Sequence, residues 1–411
     1  NQCPPLDPQF FPVGSKVQTL GKIDKLIAPF SSSVTQIGPS PLQPFLEPPK
    51  TYPANLYKNK KGEPVLLQPI QTQFVPNIVF PQDVVDIATR DYLAAIISIP
   101  TMYSKRPRFL TTKEAFEGIP GDYWIKPIEL STSSGWPYNL VYSKGKHELV
   151  ERKEDLSMVV DEVLLRAIMR REDFAKRLID VGTVIVDTKK DECRPLEMVE
   201  IEMDGVKMMV PDKKKTRTIS NCPLDMTIFC RKMLMFFNAH LGSTRLNVGP
   251  GAALGLNPHS QEWGRLLENL KVHGHNWLAG DYKYWDKRVP FQLCMAMYKI
   301  VCGFYRNMTK EEKHMMKTLI VSVFSAYRLY EDNLYKMHQS MPSGIPITTT
   351  FNCTINNLLM RIIFILLCKE HVGKDWYEVY HNYYDNCVAM SAYGDDHIVR
   401  VHKMFPWFNM I

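Results

Sequence analysis

Apolar positions along this chain recur with two periods, one helical and one extended. Val84, Ala88, Tyr92, Ala95, Ile96 and Ile99 keep helical spacing between Pro81 and Pro100, which predicts a helix over 83–99. Leu156, Val159, Val160, Val163, Leu164, Ala167 and Ile168 predict a second helix. Its other face carries Arg166, Arg170 and Arg171, expected in solvent. Phe291, Cys294, Met297, Tyr298 and Val301 predict a third, and the apolar run from Cys353 to Cys368 a buried fourth, capped by Thr348 or a neighbour. Extended signals fall between these. They are a strand over 183–186, alternating runs over 199–203 and 206–210 around Asp204-Gly205, and a short strand over 275–280. Near the end, the runs 387–392 and 397–401 flank Tyr393-Gly394-Asp395-Asp396, a second hairpin signal. Strand, helix, loop, helix, hairpin is the order of an antiparallel sheet backed by helices, of the split βαβ kind. The expected fold class is α/β (α+β).

Residues 1–81 interrupt this regularity with 15 of the 29 prolines, so a regular helix is excluded there. The expectation is an extended arm draped over another lobe, anchored by Phe10, Phe11, Phe30, Phe45 and Phe74.

Composition narrows the classes without choosing one. The chain has 411 residues, 45% apolar and 23% charged, which fits a globular protein of two or three lobes. A net charge of +7 permits a polyanionic partner without requiring one. Nine scattered cysteines with no Cys-x-x-Cys argue for reduced thiols, against a disulfide framework or structural zinc. The longest apolar run, Leu358 to Cys368, is interrupted by Arg361 and too short to span a bilayer, and no transmembrane segment or signal peptide is expected. A first residue of Asn1 rather than Met fits either excision from a polyprotein or an arbitrary chain boundary.

Charge at special positions changes the picture more. A tight turn that lifts Asp395 and Asp396 out of a buried sheet sets two like charges side by side, a cost a cation removes. Asp281 ends the strand over 275–280, with Asp286 beyond it. Carboxylates from a strand end and a neighbouring hairpin make an oxygen-rich site for Mg²⁺, which takes one or two carboxylates, waters and phosphates. Ser343-Gly344-x-Pro reads as a mobile loop. Asn352, one helical turn after Thr348, shares its face and offers an amide to a ribose hydroxyl. Lys189-Lys190-Asp191-Glu192-Cys193-Arg194 and Lys213-Lys214-Lys215-Thr216-Arg217, joined by the first hairpin, form two cationic clusters able to clamp a triphosphate. Ser131, Thr132, Ser133, Ser134, Gly135, Trp136, Pro137 and Tyr138 combine small hydroxyls, a glycine and two aromatics. That mixture suits a nucleic-acid backbone with a base stacked nearby. Taken singly, each has an ordinary structural explanation: a polar turn, a capped core helix, a solvated charge run, a Ser-rich loop.

In order, Asp281-x4-Asp286, Ser343-Gly344-x3-Thr348-x3-Asn352 and Tyr393-Gly394-Asp395-Asp396 resemble the first three palm motifs of viral RNA-dependent RNA polymerases of the picornavirus-like group. General similarity points to the iflavirus or dicistrovirus branch. Residues 131–138 resemble that family's template-admitting element, with Trp136 in place of a tyrosine, and the two cationic clusters resemble its finger motif. The resemblance implies a right-hand polymerase. Its parts are a Pro-rich arm over 1–80 belonging to the fingers, fingers over 81–230, palm over 231–321, a fingers return over 322–340, and an incomplete palm over 341–411. The thumb is expected to be missing. It implies Asp281, Asp395 and Asp396 as catalytic and metal-binding residues for two Mg²⁺ ions, with Mn²⁺ as substitute. Lys190, Arg194, Lys215, Arg217, Asp286, Ser343, Gly344, Thr348 and Asn352 are implied as nucleotide-binding, and residues 131–138 as RNA-binding. The implied partners are RNA template and product, nucleoside triphosphates, a genome-linked protein primer and other viral replication proteins. The implied location is the host cytoplasm at membrane-associated replication complexes. Two alternatives stay open: a reverse transcriptase, and an inactive fingers–palm fragment that binds RNA.

Overall fold

Two sheets and a set of buried helices position everything that follows. The computed structural model describes residues 17–29, 34–57, 78–203, 206–214, 216–271, 274–282 and 285–409. The fold is mixed α/β. Its centre is the helix Leu224–Ser243, apolar nearly all round and buried along most of its length, as a helix without a polar face must be. Gln82–Ile97 packs on Phe291–Tyr305 and on Thr348–His371, and all contribute to one continuous core. Thr348–His371 is the one described helix long and apolar enough to cross a membrane, but most of it is buried within the protein.

A five-stranded sheet runs in the order Val17–Lys22, Asn333–Met337, Tyr327–Tyr330, Val184–Lys189, Thr218–Asn221. Only Tyr327–Tyr330 with Val184–Lys189 is parallel. Beneath it lies an ion pair that the sequence patterns did not reveal. Arg328 Nη1 donates to both Asp187 oxygens at 3.1 and 3.2 Å and to Ser220 Oγ at 2.7 Å, while Nη2 reaches Ser340 Oγ at 3.0 Å. The two charged side chains are 1% and 0% exposed. A three-stranded antiparallel sheet has the order Asn276–Gly280, Asp396–Val401, Val388–Tyr393. Alternation sends Val388, Met390, Val399 and Val401 into the main core. Ala389 and Ile398 meet Leu266 and Leu270 of the helix Gln261–Lys271 on the opposite face.

Several expectations need correction. The second helix spans Glu162–Lys176, not 156–168. Asp161 caps it by accepting from Val163 N at 2.8 Å, and the β-branched Val159 and Val160 before it pair in a short strand with Val150–Arg152. Arg171 on that helix is buried, not solvated: it bonds Asp225 at 2.6 Å and Thr183 at 2.8 Å. Arg166 and Arg170 are exposed. Where it is described, the arm packs on the rest of the chain, but not through Phe45, which is 85% exposed. A short 3₁₀ turn with a leading proline points it outward. The arm is held instead by Val17–Lys22 in the large sheet, by Tyr52–Pro53 paired with Cys193–Arg194, and by buried Ala54 and Leu56. Phe10, Phe11, Phe30 and Phe74 lie outside the described residues, as does the Asp204-Gly205 turn, although its flanking strands Leu196–Met203 and Val206–Lys213 pair. The eight described cysteines are all free thiols.

Candidate active site

Antiparallel register carries the acids toward one another. Gly280 stands opposite His397, so Asp281 leaves its strand level with Asp396. On the other side Tyr393 faces Asp396, which closes a two-residue turn of Gly394 and Asp395. Gly394 has φ +72°, a left-handed conformation that costs glycine little. The Asp395 carboxyl is pushed above its ordinary range by burial first and then by the charges of Asp396, Asp281 and Asp286. Four carboxylates therefore share one electrostatic neighbourhood. Among the described residues no three acidic, histidine or cysteine side chains stand in a ready-made coordination array. The convergence rests on register and electrostatic reach. The donor set, all hard oxygen, suits Mg²⁺ or Mn²⁺. Tyr282 packs on Trp285 and His397 beside the acids, with ring centroids 4.5 and 5.1 Å away.

The long helix braces the turn from behind. Cys353 Sγ donates to Ala392 O and accepts from Gly394 N, both at 3.2 Å. Asn356 Nδ2 donates to Asp395 O at 3.0 Å, and Asn357 Nδ2 to Gly251 O at 2.9 Å. Asn352 on the same helix is buried, and its Oδ1 has no hydrogen-bond partner. Thr348 does not cap the helix as expected. The cap position is Ile347, without a side-chain bond, and Thr348 Oγ1 donates backward to Pro342 O at 2.8 Å and Ile345 O at 3.0 Å. A helical hydroxyl can return to a preceding carbonyl in this way. Asp286 lies in the single turn Trp285–Arg288 with its carboxylate 2.5 Å from Lys287 Nζ. Its carbonyl accepts from Met341 N at 2.7 Å, which joins this turn to the Ser343-Gly344 loop.

Lys190 and Arg217 meet at Glu192, at 3.2 and 2.5 Å. Arg217 above all, then Lys190, hold the Glu192 carboxyl down to about 2. Arg194 lies in the two-residue strand that the arm braces. Lys215 lies outside the described residues. Arg217 leads directly into Thr218–Asn221, and the loop at 343–344 rests on that strand. Ser220 N donates to Ser343 Oγ at 3.2 Å, and a Cβ on Gly344 would stand 1.8 Å from Ser220 O. Residues 131–138 lean on the same stretch. A Cβ on Gly135, φ +75°, would stand 2.4 Å from Cys222 O, and Leu224 N donates to Ser134 O at 3.0 Å. Ser131, Thr132, Ser133 and Pro137 are exposed. Trp136 Nε1 donates to Ile27 O at 3.0 Å. Trp136, Pro137 and Tyr138 border a cleft of about 540 Å³ shared with Arg166, Arg170 and Phe174.

Cys353, Asn356, Glu192 and the Arg328–Asp187 pair carried no expectation from sequence. Two adjacent asparagines inside an apolar helix were a readable signal, because a buried amide needs partners. Nothing in the local pattern around Arg328 names Asp187, 141 positions away.

The acids at this hairpin and the strand end beside it, with the asparagine-bearing helix behind, make a carboxylate-rich site suited to divalent cations. The sequence model of viral RNA-dependent RNA polymerases matches residues 88–411, and the chain belongs to that family. It is 29% identical over 398 residues to the replicase polyprotein of Cricket paralysis virus, covering 89% of this chain and 21% of that polyprotein. Against the replicase polyprotein of Acute bee paralysis virus it is 29% identical over 314 residues, 75% of this chain and 16% of the relative. The chain thus spans about a fifth of the length of these relatives. The solved 3Dpol RNA-dependent RNA polymerase of Sicinivirus shares the fold, with a TM-score of 0.69 at 19% identity over 91% of this chain and 70% of that one.

Proposed function

We propose that this chain carries the catalytic centre for RNA-templated RNA synthesis in a positive-strand RNA virus. Residues 1–230 and 322–340 would be fingers, and 231–321 with 341–411 palm. The observation that carries the reading is the register that sets Asp281 beside the Asp395–Asp396 turn. Asp281 and Asp395 would hold two Mg²⁺ ions, with Asp396 supporting them. Such ions, when bound, lower the pKa of an attacking 3′-hydroxyl and neutralise charge on the leaving pyrophosphate. The raised pKa of Asp395 supports this, since a half-buried carboxyl among three others favours a cation beside it. Lys190 and Arg217, held ready on Glu192, orient the triphosphate and offset charge developing on its oxygens. Arg194 and Lys215 extend that cationic surface. The unpartnered Asn352 oxygen, with Asp286, reads the ribose 2′-hydroxyl, the group that separates ribonucleotides from deoxyribonucleotides. Ser343 and Gly344 move as the nucleotide seats, with Thr348 anchoring the loop. Residues 131–138 guide the template. Partners would be RNA, nucleoside triphosphates, a protein primer and other replication proteins, at membrane-associated sites in the host cytoplasm.

The test is primer extension by a purified polymerase that carries these residues. Asp395→Asn abolishes ribonucleotide incorporation while circular dichroism and thermal midpoint stay at parental values. Near-normal turnover in that variant overturns the site. Preference for deoxynucleotides would favour a reverse transcriptase instead.

A further inference from the structure

Asn356 is fully buried in the first half of the long helix, and its amide is used on both sides. Nδ2 donates to Asp395 O at 3.0 Å and to Gly394 O at 3.4 Å, while Oδ1 accepts from Tyr282 Oη at 3.2 Å. The orientation follows from chemistry. Two carbonyls can only accept, so the NH₂ group must face the turn and the oxygen must face the phenol. Tyr282 directly follows Asp281, and Asp395 sits in the turn itself. One side chain therefore touches both acid-bearing segments, which are separated by more than a hundred residues in sequence.

We infer that Asn356 is a positioning residue that fixes the distance between the Asp281 strand end and the Asp395 turn, acting through Tyr282 on one side and the turn carbonyls on the other. The inference rests on the polymerase reading for its consequence but not for its geometry. Thr348, Asn352 and Asn356 recur at intervals of four and line one helical face. The same face that would present Asn352 to the nucleotide thereby holds the acids, so a shift of the helix would displace both together. Cys353, one residue after Asn352, adds the Gly394 N contact but reaches only the turn. Of the helix side chains named here, Asn356 is the one that bonds both segments.

Three variants separate bridging from bulk structure. Asn356→Asp keeps the shape and the Tyr282 bond but replaces the donor to the turn. Asn356→Ser shortens the reach on both sides without adding charge. Tyr282→Phe removes only the phenol bond. The first readout is hydrogen exchange in the absence of RNA and metal, followed in peptides over 277–282 and 391–397. Asn356→Ser should speed exchange in both peptides by tenfold or more, and Tyr282→Phe mainly in the first. The second readout is Mn²⁺ binding to the free protein by electron paramagnetic resonance. A residue that orients ligands from behind typically alters metal affinity about 10–100-fold, so Asn356→Asp and Asn356→Ser should weaken binding about tenfold, measured at a temperature where each variant remains folded. The double variant Tyr282→Phe with Asn356→Ser should be no weaker than Asn356→Ser alone. Exchange that rises in one peptide only, or Mn²⁺ affinity that stays within twofold of the parent, overturns the inference. A parent protein that exchanges and binds as described but adds no ribonucleotides would count against the polymerase reading and leave the bridge standing.

Discussion

The Arg328–Asp187 pair yields the sharpest quantitative expectation. Replacing Arg328 with Met keeps length and apolar bulk but strands Asp187, whose side chain is 0% exposed, without its cation. Removing one partner of a buried pair costs about 3–5 kcal/mol, because the remaining charge is left uncompensated. Asp187 keeps the Ser220 hydroxyl, at 2.5 Å, which offsets a part and places the expectation toward the lower end. Adding Asp187→Leu removes the stranded carboxylate. The remaining debt is then the hydroxyls of Ser220, Ser340 and Tyr330, each short of a partner at about 1 kcal/mol, offset in part by removal of the buried, unpartnered Arg328 Nε. The double variant should sit roughly 2 kcal/mol below the parent, more stable than the single variant. In urea, with a slope of about 3 kcal/mol per molar for a chain of this size, the single variant should unfold roughly 1 M earlier. Adding the second substitution should recover a third to a half of that shift. The assay is urea unfolding followed by far-ultraviolet circular dichroism. A double variant at or below the midpoint of the single variant would refute the reasoning. So would a single variant within about 1 kcal/mol of the parent. Primer extension on the double variant adds a functional reading. Because the pair underlies the strand after Arg217 and the residues before Ser343, nucleotide KM should rise more than kcat falls.

Two further expectations follow from the same strand. Gly344→Ala places a methyl 1.8 Å from Ser220 O, a backbone atom that cannot step aside, so the loop must shift. A stability loss of about 1–3 kcal/mol and a raised nucleotide KM are expected in denaturation and steady-state kinetics. Glu192 is held down to about 2, below its ordinary 4.5, by Arg217 first and Lys190 second. Its stabilisation is complete above about pH 4.5 and is lost as pH falls toward 2. Glu192→Gln should therefore flatten the acid limb of thermal stability in that window. The change should be about 1 kcal/mol, since both cations lie largely in solvent. An acid limb identical to the parent would exclude the pairing.

Much of the site's skeleton was legible because it depends on local chemistry. Gly394 between two β-prone runs announces a turn, and Val399 and Val401 on either side of Arg400 share one face of its second strand. The helix over 83–99 was readable from its bounding prolines, and the structure places it at Gln82–Ile97. Errors came where a short-range cue was ambiguous. Val159 and Val160 fit a helical stripe as well as a strand, and only the Asp161 cap decides. Arg171 looked solvated because its partner Asp225 lies 54 positions away. Phe45 looked like an anchor because apolar identity says nothing of what stands opposite. Long-range pairings such as Arg328 with Asp187 leave no periodic trace.

The glycines at 135 and 344 lean on neighbouring carbonyls of one short stretch, those of Cys222 and Ser220. Two loops far apart in the chain thus share a single rail, with only a hydrogen atom's clearance at each contact. Any drift to a bulkier residue at one position would displace the rail on which the other rests. The two loops cannot be tuned separately, and changes tolerated in one should be sought together with changes in its counterpart across the rail.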